Sequence, residues 1–537
     1  MWAHQARRKR LRQYVVLSRI VEPTFRAEEF DVRAYGARGN GEKDDLGALN
    51  AAIVACNGAG GGSVIVPSGT YYLEGPLNLL SNVRLVLSNA TTLLWSYNPS
   101  HYVPGVLTKF EGTEVFNYSP LVRAYLASNV SIVGHGPSSV LDGQGTAWFG
   151  KDGDDADRLR EMGNDSVPVY SRVFGETAEL PPNFIESFGA EAVHLENFTI
   201  TNSPFWTVHP VASQNVICRN LAIDTKSTKN SDGIDPEGSV DVLIERVVFD
   251  TGDDAVAIKA GRDADGWRVG RPSRNVIVRY STLSSKCNAL CIGSEVSGGV
   301  DNIFFYANTI LGAEVALYFK SNLDRGSWIS DVEVWDVSAK GVTSSCLTFT
   351  NNYHGSRGGY FPTAFERFDI RDVDCLLEAP EKKAPDKKDD EGGGDGGGDG
   401  GGDGGGNGGG GDDDDDFDDD LSLQEIIEGS GLTAISVEGV DDQHPITNVT
   451  LSNLVVTTSD DSSPSLKVEN VHNLAIVNVS VNGEILNHNY SAARPTPATT
   501  LDSHSALVSW LLQDDDDEVV VDLPAPDDPT RSSSSSS

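Results

Sequence analysis

A short strand pattern recurs along the chain at intervals that suit a stacked architecture. Each copy is an Asn or Asp followed by a branched aliphatic residue and then by alternating apolar and polar residues. From residue 215 to residue 331 the copies are separated by 26, 34, 27 and 29 residues, and the copies at 448 and 473 by 25. The copies begin at Asn129, Asn215, Asp241, Asn275, Asn302, Asp331, Asn448 and Asn473.

Alternation with a period of two predicts β-strands, and no helical pattern lies between consecutive copies. Strands that repeat at such short intervals are typical of a parallel β-solenoid, and the chain is predicted to be all-β. A propeller is the alternative for many evenly spaced strands. It requires blades of roughly 40 to 50 residues, and no repeat of that length is found.

The segments outside the strand pattern suggest how the solenoid is bounded. Residues 45–56 have helical apolar spacing and are predicted to cap its N-terminal end, where an open coil would expose apolar side chains. The Gly/Asp-rich run after residue 392 cannot bury apolar surface and is predicted to be flexible. Calcium-binding Gly/Asp repeats carry an apolar residue in each unit, and this run has none. The predicted organisation is a disordered tail over 1–28, one β-helix over 29–377 and 422–487, a disordered insertion over 378–421 and a disordered tail over 488–537.

Composition excludes some partners. The formal net charge of −38 is concentrated in acidic runs, and no basic stripe is present to neutralise phosphates, so no nucleic-acid partner is predicted. No apolar stretch is long enough to cross a membrane. The six cysteines form no CxxC pair or Cys/His cluster, so neither metal nor cofactor is predicted, while a disulfide stays open. The protein is expected to be a monomer. A signal peptide is not visible after the basic start, although an extracellular location is suspected.

Three aspartates stand out within the repeats. Asp232 lies in Asn-Ser-Asp-Gly-Ile-Asp-Pro, and Asp253 and Asp254 follow 21 and 22 residues later in Gly-Asp-Asp-Ala. Residues one coil apart are neighbours, because solenoid coils stack about 4.8 Å apart. Strict alternation would point adjacent aspartates to opposite faces, so both reach solvent only if the strand bends or ends, which Gly252 permits. The next equivalent positions are predicted to be Cys287/Asn288 and then Tyr318/Lys320.

Several ordered motifs together resemble one known family. They are Phe30-Asp-Val-Arg-Ala-Tyr-Gly-Ala, Ser203-Pro-Phe-Trp-Thr-Val-His, the two aspartate motifs, Ile292-Gly-Ser-Glu-Val-Ser-Gly-Gly and Ile435-Ser-Val-Glu-Gly. The chain resembles the polygalacturonases of glycoside hydrolase family 28, right-handed parallel β-helices that cleave pectin. The segments Gly261-Arg-Asp-Ala-Asp-Gly and Gly270-Arg-Pro-Ser look most like its exo-acting branch.

The resemblance implies an inverting hydrolase of α-1,4-galacturonosidic or related uronate linkages, with an acidic polysaccharide as its partner. Asp253 would be the general acid, and Asp232 and Asp254 would activate water. Such chemistry needs one protonated and one ionised carboxyl group, ordinarily about 6.5–9.5 Å apart in inverting enzymes. Repulsion within a carboxylate cluster raises one pKa so that an acid exists near neutral pH. Asp235 and Asp241 are expected to serve only as turn caps.

The residues expected to bind the sugar depart from the family pattern. Lys286-Cys287-Asn288 stands where the family carries Gly-His-Gly, and Tyr318-Phe319-Lys320 stands where it carries Arg-x-Lys. Tyr cannot replace the bidentate guanidinium, so Arg325 is the candidate for the second cation. The residues predicted to bind substrate are Lys320, Tyr318, Asn288, Arg325 and Tyr353.

Four further residues have two interpretations. Trp206 and His209 line the cleft or are packed in the interior, His354 contacts the sugar or belongs only to its loop, and Glu295 closes the exo end or caps a turn. Two alternatives to the hydrolase stay open. A catalytically silent carbohydrate-binding β-helix would explain the missing His and Arg, and a β-helical polysaccharide lyase would need a Ca²⁺ site.

Overall fold

The computed structural model describes residues 2–148, 153–175, 180–356, 359–378, 432–459 and 464–490. The predicted disordered insertion over 378–421 lies outside these residues except for residue 378. The predicted C-terminal tail also lies outside them from residue 491 onward. In the described part, no helix is both long and apolar enough to span a bilayer.

Helices are few and short. The α-helices are α1 (Trp2–Arg19), α2 (Leu46–Gly58), α3 (Gly153–Asn164) and α4 (Asp263–Val269). The 3₁₀ turns cover Val32–Tyr35, Pro99–Tyr102, Gly145–Trp148 and Val169–Ser171.

Strands make up most of the described chain. The first sixteen are β1 (Glu29–Asp31), β2 (Asn40–Asp44), β3 (Gly62–Val66), β4 (Gly69–Leu73), β5 (Leu77–Asn78), β6 (Val83–Leu87), β7 (Thr91–Trp95), β8 (Val106–Phe110), β9 (Thr113–Asn117), β10 (Val122–Tyr125), β11 (Ser128–Gly134), β12 (Val140–Asp142), β13 (Ile185–Phe188), β14 (Glu191–Glu196), β15 (Thr199–Thr201) and β16 (Val208–Val211). The others are β17 (Gln214–Arg219), β18 (Ala222–Asp224), β19 (Val240–Glu245), β20 (Val248–Thr251), β21 (Val256–Ile258), β22 (Ser273–Arg279), β23 (Thr282–Ser285), β24 (Asn288–Ile292), β25 (Val300–Lys320), β26 (Trp328–Thr350), β27 (Ala364–Leu377), β28 (Thr433–Glu438), β29 (Ile446–Thr458), β30 (Ser465–Glu469), β31 (Val471–Val481) and β32 (Glu484–Tyr490).

The strands stack in parallel into three sheets, as the repeat predicts. The first sheet runs through β14, β17, β19 and β22, and the second through β15, β18, β20 and β23. The third sheet contains β13, β16, β21, β24 and the end of β25, with Ile234 bridging β16 and β21. We call these sheet 1, sheet 2 and sheet 3. Each long strand from β25 onward passes through more than one sheet.

The Asn or Asp that opens each repeat has a conformational reason. All eight of these residues have φ between 55° and 62°, the left-handed region that Asn and Asp tolerate best among residues with a side chain. Neighbouring members also bond to one another. The Asn275 amide donates to Asp241 Oδ1 over 2.9 Å, and the Asn302 amide donates to Asn275 Oδ1 over 2.5 Å. The residue that starts each coil therefore turns the chain and joins the coils.

The core is a column of apolar side chains inside the coils. In sheet 3, Val208, Ile234, Val256, Leu290 and Leu317 stack in register, and all are at least 98% buried. Helix α2 covers the N-terminal end of this column with Leu49, Ile53 and Cys56, so the predicted cap is confirmed.

The coils continue on both sides of the undescribed segment 379–431. Strand β26 pairs with β28, with Ser345 opposite Thr433, and β27 pairs with β29, with Glu366 opposite Thr447. At the C-terminal end β32 folds back antiparallel on β31, and it includes residues 488–490 of the predicted tail. One disulfide joins Cys346 to Cys375, and the other four cysteines are free.

The N-terminal segment differs from the tail predicted for residues 1–28. Helix α1 lies on the outer face of sheet 1, where Val16 packs against Leu243, Ile277 and Phe304. Arg19 pairs with Asp241 at 2.8 Å, and Arg12 bonds to Asn302 Oδ1 at 2.6 Å. The apolar outer face of three coils gives this helix a surface to bury against. The repeat pattern alone could not indicate that surface.

Candidate active site

The three aspartates lie together at the corner between sheets 2 and 3. Ile234 bridges Val256, and Val256 pairs with Leu290, which sets Asp232, Asp254 and Asn288 on adjacent coils. One carboxylate oxygen from each of Asp232, Asp253 and Asp254 lies within 4.8 Å of the other two. This register agrees with the predicted spacing of 22 residues.

The adjacent pair reaches one face because the strand ends there. Strand β20 stops at Thr251 and β21 starts at Val256, so residues 252–255 form the corner. A Cβ on Gly252 would lie 1.8 Å from the Thr228 carbonyl oxygen, so only glycine fits the close approach of the neighbouring coil. Gly252 thus permits the bend, as expected, by allowing the two coils to touch.

Asp254 is held as a carboxylate by direct donors. Its Oδ1 accepts from the Asn288 backbone N–H over 3.1 Å and from the Asn288 amide over 2.7 Å. Its Oδ2 lies 3.1 Å from Lys320 Nζ. All three donors favour the ionised form, and the side chain is almost fully buried.

Asp253 is the half-buried member of the trio. Its Oδ1 accepts the Asp254 backbone N–H over 2.7 Å, and its carbonyl accepts the Ser285 hydroxyl over 2.7 Å. Burial, followed by the charge of Asp254, raises the pKa of Asp253 to about 6. A carboxyl group with that pKa carries a proton in mildly acidic solution and can lose it to a substrate.

Asp232 has one charged partner. Its Oδ2 lies 3.4 Å from Lys259 Nζ, while its buried Oδ1 has no hydrogen-bond partner in the described part of the chain. Burial raises the pKa of Asp232, the charge of Asp235 adds to this, and Lys259 opposes both. Asp235 is itself buried, and its Oδ1 accepts the Ala257 N–H over 3.2 Å. That bond agrees with a capping role.

Lys259 is a site residue that sequence reasoning missed. It is 5% exposed, it lies 3.3 Å from Glu295 Oε2, and its ammonium sits 4.0 Å from the centre of the Trp206 ring. The available signal was a single lysine in the otherwise apolar run Ala255-Val-Ala-Ile-Lys-Ala. A lysine there has to be paired, because an unpaired buried charge is costly.

Tyr318 and Lys320 reach the site from a register different from the predicted one. Asn288 pairs with Val315, and Tyr318 pairs with Cys291, so the two residues sit farther along the strand than the positions beside Asn288. The bulge in β25, whose pairing with β23 shifts register after Ile310, changes the spacing that the residue count assumed. Lys320 still meets Asp254, and its ammonium lies 4.9 Å from the Tyr353 ring centre.

Arg325 does not provide the second cation for a substrate. It is 1% exposed and its guanidinium pairs with Asp263 at 2.5 Å, with further ion pairs to Asp324 and Glu295. Its charge is already neutralised by these carboxylates. The prediction placed it correctly near the site but missed the acidic residues around it.

The side chains that remain partly open beside Asp253 are uncharged. Cys287 and Tyr353 are both half-buried, and Tyr353 stacks edge-on against the buried Tyr318. Burial, followed by the charge of Asp253, raises the pKa of Cys287, so it is a neutral thiol. The cations of this side of the site lie beneath them.

His209 is an interior residue. It is fully buried, and its Nε2 lies 3.0 Å from Glu237 Oε2 while Lys109 pairs with the other oxygen of Glu237. Trp206 is also buried and packs edge-on against His209. Of the two interpretations for these residues, the structure supports interior packing, with Trp206 in addition supporting Lys259.

A hairpin closes the outer face of sheet 3 on the N-terminal side of the aspartates. Strands β8 and β9 form it, and Thr108 donates to Glu186 Oε2 over 2.5 Å. At its tip the Gly112 carbonyl accepts the Arg262 N–H over 3.2 Å, and Glu111 pairs with Arg262 at 2.5 Å. Glu295 lies directly beside this tip, with its Cβ 3.2 Å from a Cβ built on Gly112.

The carboxylate trio also has a spacing that could hold a divalent cation. Two ammonium groups already serve that purpose, because Lys259 and Lys320 lie 3.4 and 3.1 Å from Asp232 and Asp254. A metal would have to share these oxygens with both lysines, which like-charge repulsion disfavours.

Comparison with known proteins places the chain in a family. Residues 104–375, just over half of the chain, match the model for glycosyl hydrolases family 28. The chain belongs to this family. Residues 30–90 match the model described as rhamnogalacturonase A/epimerase, pectate lyase-like.

Individual family 28 relatives are distant in sequence. A probable polygalacturonase of Vitis vinifera is 26% identical over 63% of this chain and 66% of its own length. An exo-poly-alpha-D-galacturonosidase of Dickeya chrysanthemi is 24% identical over 64% of this chain and 61% of its own. The chain therefore spans about three fifths to two thirds of the length of these curated relatives.

Among solved structures, a hyperthermoactive exopolygalacturonase from Thermotoga maritima superimposes with a TM-score of 0.76. It is 29% identical, and the match covers 92% of this chain and 99% of that one. The predicted right-handed parallel β-helix is confirmed.

Proposed function

We propose that the protein is an inverting glycoside hydrolase that cleaves α-1,4-galacturonosidic or related uronate linkages from chain ends. In this proposal Asp253 protonates the leaving glycosidic oxygen, and Asp232 and Asp254 orient and deprotonate the attacking water. The observation that carries it is the meeting of three carboxyl groups within 4.8 Å, each with different partners. Asp254 is bound by three donors, Asp232 faces one lysine, and Asp253 alone is half open with a raised pKa.

The spacing bears on the stereochemical course. Carboxyl groups about 5–5.5 Å apart ordinarily indicate a retaining enzyme, in which one carboxylate attacks the sugar directly. Here Asp232 and Asp254 are 2% and 1% exposed, so neither can reach a sugar carbon without rearrangement. A water that bonds to both at about 2.8 Å bridges oxygens up to roughly 5.6 Å apart, which fits this pair. Burial therefore supports inversion although the spacing alone would not.

The substrate class is proposed from the relatives. The Vitis vinifera and Dickeya chrysanthemi proteins are described as acting on polygalacturonate, and the Thermotoga maritima structure is described as an exopolygalacturonase. Lys320, Tyr318, Asn288 and Tyr353 are retained as proposed sugar-binding residues, with Tyr353 and Asp253 as the open surface. Arg325 is omitted because its charge is neutralised inside the protein.

Action at chain ends is supported by the β8–β9 hairpin. It covers sheet 3 over Glu186 and Glu237, and its tip is tied to Arg262, so the cleft has a wall next to the coil of Asp232. We expect galacturonate monomer as the first product from oligogalacturonides of four to six units. Early release of dimers and trimers in equal amounts would show internal cleavage.

The function is tested by product analysis on a panel of acidic polysaccharides. Polygalacturonate and rhamnogalacturonan are incubated with the native protein and with Asp253→Asn, and reducing sugar and ultraviolet absorbance are followed. Release of reducing sugar by the native protein alone, unaffected by a chelator, supports the hydrolase. Binding without release would establish the silent carbohydrate-binding β-helix, which Cys287 and Tyr318 favour because the family carries His and Arg there. Unsaturated products that need Ca²⁺ would establish the lyase.

Secretion and a monomeric state are proposed as well. The disulfide between Cys346 and Cys375 supports secretion, since such bonds persist mainly in oxidising compartments. Fractionation of the source cells tests the location, and light scattering of the purified protein tests the monomer.

A further inference from the structure

The lysine beneath the aspartates lies where it controls their ionisation. Lys259 follows Asp254 by five residues on the same strand, and its ammonium lies between Asp232 Oδ2 at 3.4 Å and Glu295 Oε2 at 3.3 Å. The face of Trp206 covers it at 4.0 Å, which excludes water from that side. Its position is therefore fixed by two carboxylates and one aromatic ring.

The charges around Asp232 would otherwise keep it protonated. Asp232 is 2% exposed, and the groups that face it are mainly acidic. Both burial and like charges disfavour a second carboxylate in one site. In the described part of the chain Lys259 is the cation that pairs with Asp232. The titratable groups facing Asp232 are Asp235 of its own segment, Asp253 and Asp254 of the corner, and Lys259 of β21's extension.

We infer that Lys259 is a positioning residue that keeps Asp232 ionised as the base, and that Glu295 sets how much of the lysine's charge Asp232 receives. This inference rests on the proposed function. Lys259 does not touch the reacting atoms, because Asp232 and Trp206 separate it from the open surface beside Asp253. Glu295 is in turn anchored by Arg325 at 3.7 Å and by the Ser294 hydroxyl at 2.9 Å, so it cannot withdraw from the lysine freely.

Two substitutions separate this role from simple packing, because they move the same pKa in opposite directions. An opposite charge within about 4–6 Å lowers the pKa of a carboxyl group by roughly one to three units. Lys259→Met removes that charge, so the acidic limb of kcat/KM against pH moves up by about one to three pH units. Glu295→Gln leaves the ammonium to Asp232 alone, so the limb moves down. Lys259→Arg retains the charge and keeps the limb near its native position.

The experiment measures kcat and KM on oligogalacturonides from pH 3 to pH 8 for the native protein and the three variants. Opposite shifts for Lys259→Met and Glu295→Gln support the inference. A uniform loss of kcat in Lys259→Met with an unmoved limb overturns it and leaves a structural role. If Lys259→Met does not fold, as judged by circular dichroism, an unmoved limb in Glu295→Gln is sufficient to overturn it.

A second readout keeps this test separate from the proposed function. The carboxyl ¹³C resonance of Asp232, assigned by its loss in Asp232→Asn, is titrated in the native protein and in Lys259→Met or Glu295→Gln. A raised Asp232 pKa in the former, or a lowered one in the latter, supports the inference even if no polysaccharide is hydrolysed. An unchanged Asp232 pKa in both variants overturns it even in an active enzyme.

Discussion

The substitution Asp253→Asn tests the proposed division of labour among the aspartates. The amide keeps the shape of the side chain and removes the proton that is transferred to the leaving oxygen. With a pKa of about 6, Asp253 is roughly nine-tenths protonated at pH 5, whereas an ordinary aspartic acid of pKa about 3.9 would be less than one-tenth protonated. Because a positioned general acid contributes about 10²- to 10⁴-fold, kcat on oligogalacturonides at pH 5 should fall by that factor.

The assay uses two substrates that differ in their need for the proton. A nitrophenyl galacturonoside leaves as a stable anion, so the same variant should lose less than about tenfold on it. The native protein should also lose activity as the pH rises through about 6, where Asp253 gives up its proton, and the variant should not show that limb.

Asp250→Asn is the matched control for this experiment. Asp250 lies on the same coil, three residues earlier, and its ion pair with Lys226 is 47% exposed on both sides. An exposed pair contributes little, so activity should stay within about twofold of native. Equal losses on both substrates for Asp253→Asn, or a loss in Asp250→Asn as large as in Asp253→Asn, would refute the assignment of Asp253 as the acid.

Three further predictions concern the fold around the site. Glu237→Gln leaves Lys109 buried and unpaired, so the free energy of unfolding should drop by about 3–5 kcal/mol in urea titrations, while Glu366→Gln at an exposed pair should change it by less than about 1 kcal/mol. Because Lys109 and His209 lower the pKa of Glu237 to about 2 despite its burial, its contribution should be complete above pH 4.5 and be lost as the pH falls toward 2, and the Gln variant should lack that dependence. The double substitution Cys346→Ala/Cys375→Ala opens a loop with a sequence separation of 29 and should lower the free energy of unfolding by about 3–4 kcal/mol, whereas an unchanged thermal midpoint would show that the bridge does not form in solution. Val16→Asp places a charge between α1 and sheet 1 and should lower the thermal midpoint, while Tyr14→Asp on the exposed face of the same helix should not.

The strand repeat was sufficient to predict the architecture because a parallel β-helix imposes the same local geometry on every coil. The opening Asn or Asp adopts positive φ each time, and the alternation follows from one face pointing into the coil. Asp232, Asp254 and Asn288 could be aligned by counting for the same reason. Counting became inaccurate at Tyr318, because a bulge in β25 cannot be seen in residue spacing.

The remaining parts of the site depend on contacts between distant segments. Arg325 was predicted as a substrate cation because its partners Asp263 and Glu295 lie 62 and 30 residues earlier in the chain and meet it only in the fold. Lys259 was missed because a single lysine in an apolar strand has no periodicity to mark it. Helix α1 was expected to be part of a tail, since the apolar surface that binds it is formed by three separate coils.

The central claim is that Asp232 and Asp254 activate water rather than attack the sugar, and product stereochemistry tests it most directly. Proton NMR spectra recorded within the first minutes of hydrolysis of an α-linked oligogalacturonide show which anomer forms before mutarotation. Inversion predicts that the β-anomer of galacturonate appears first and the α-anomer accumulates later. Initial formation of the α-anomer would mean that a carboxylate attacks the sugar, as a spacing within 4.8 Å would by itself suggest, and would contradict the proposed mechanism.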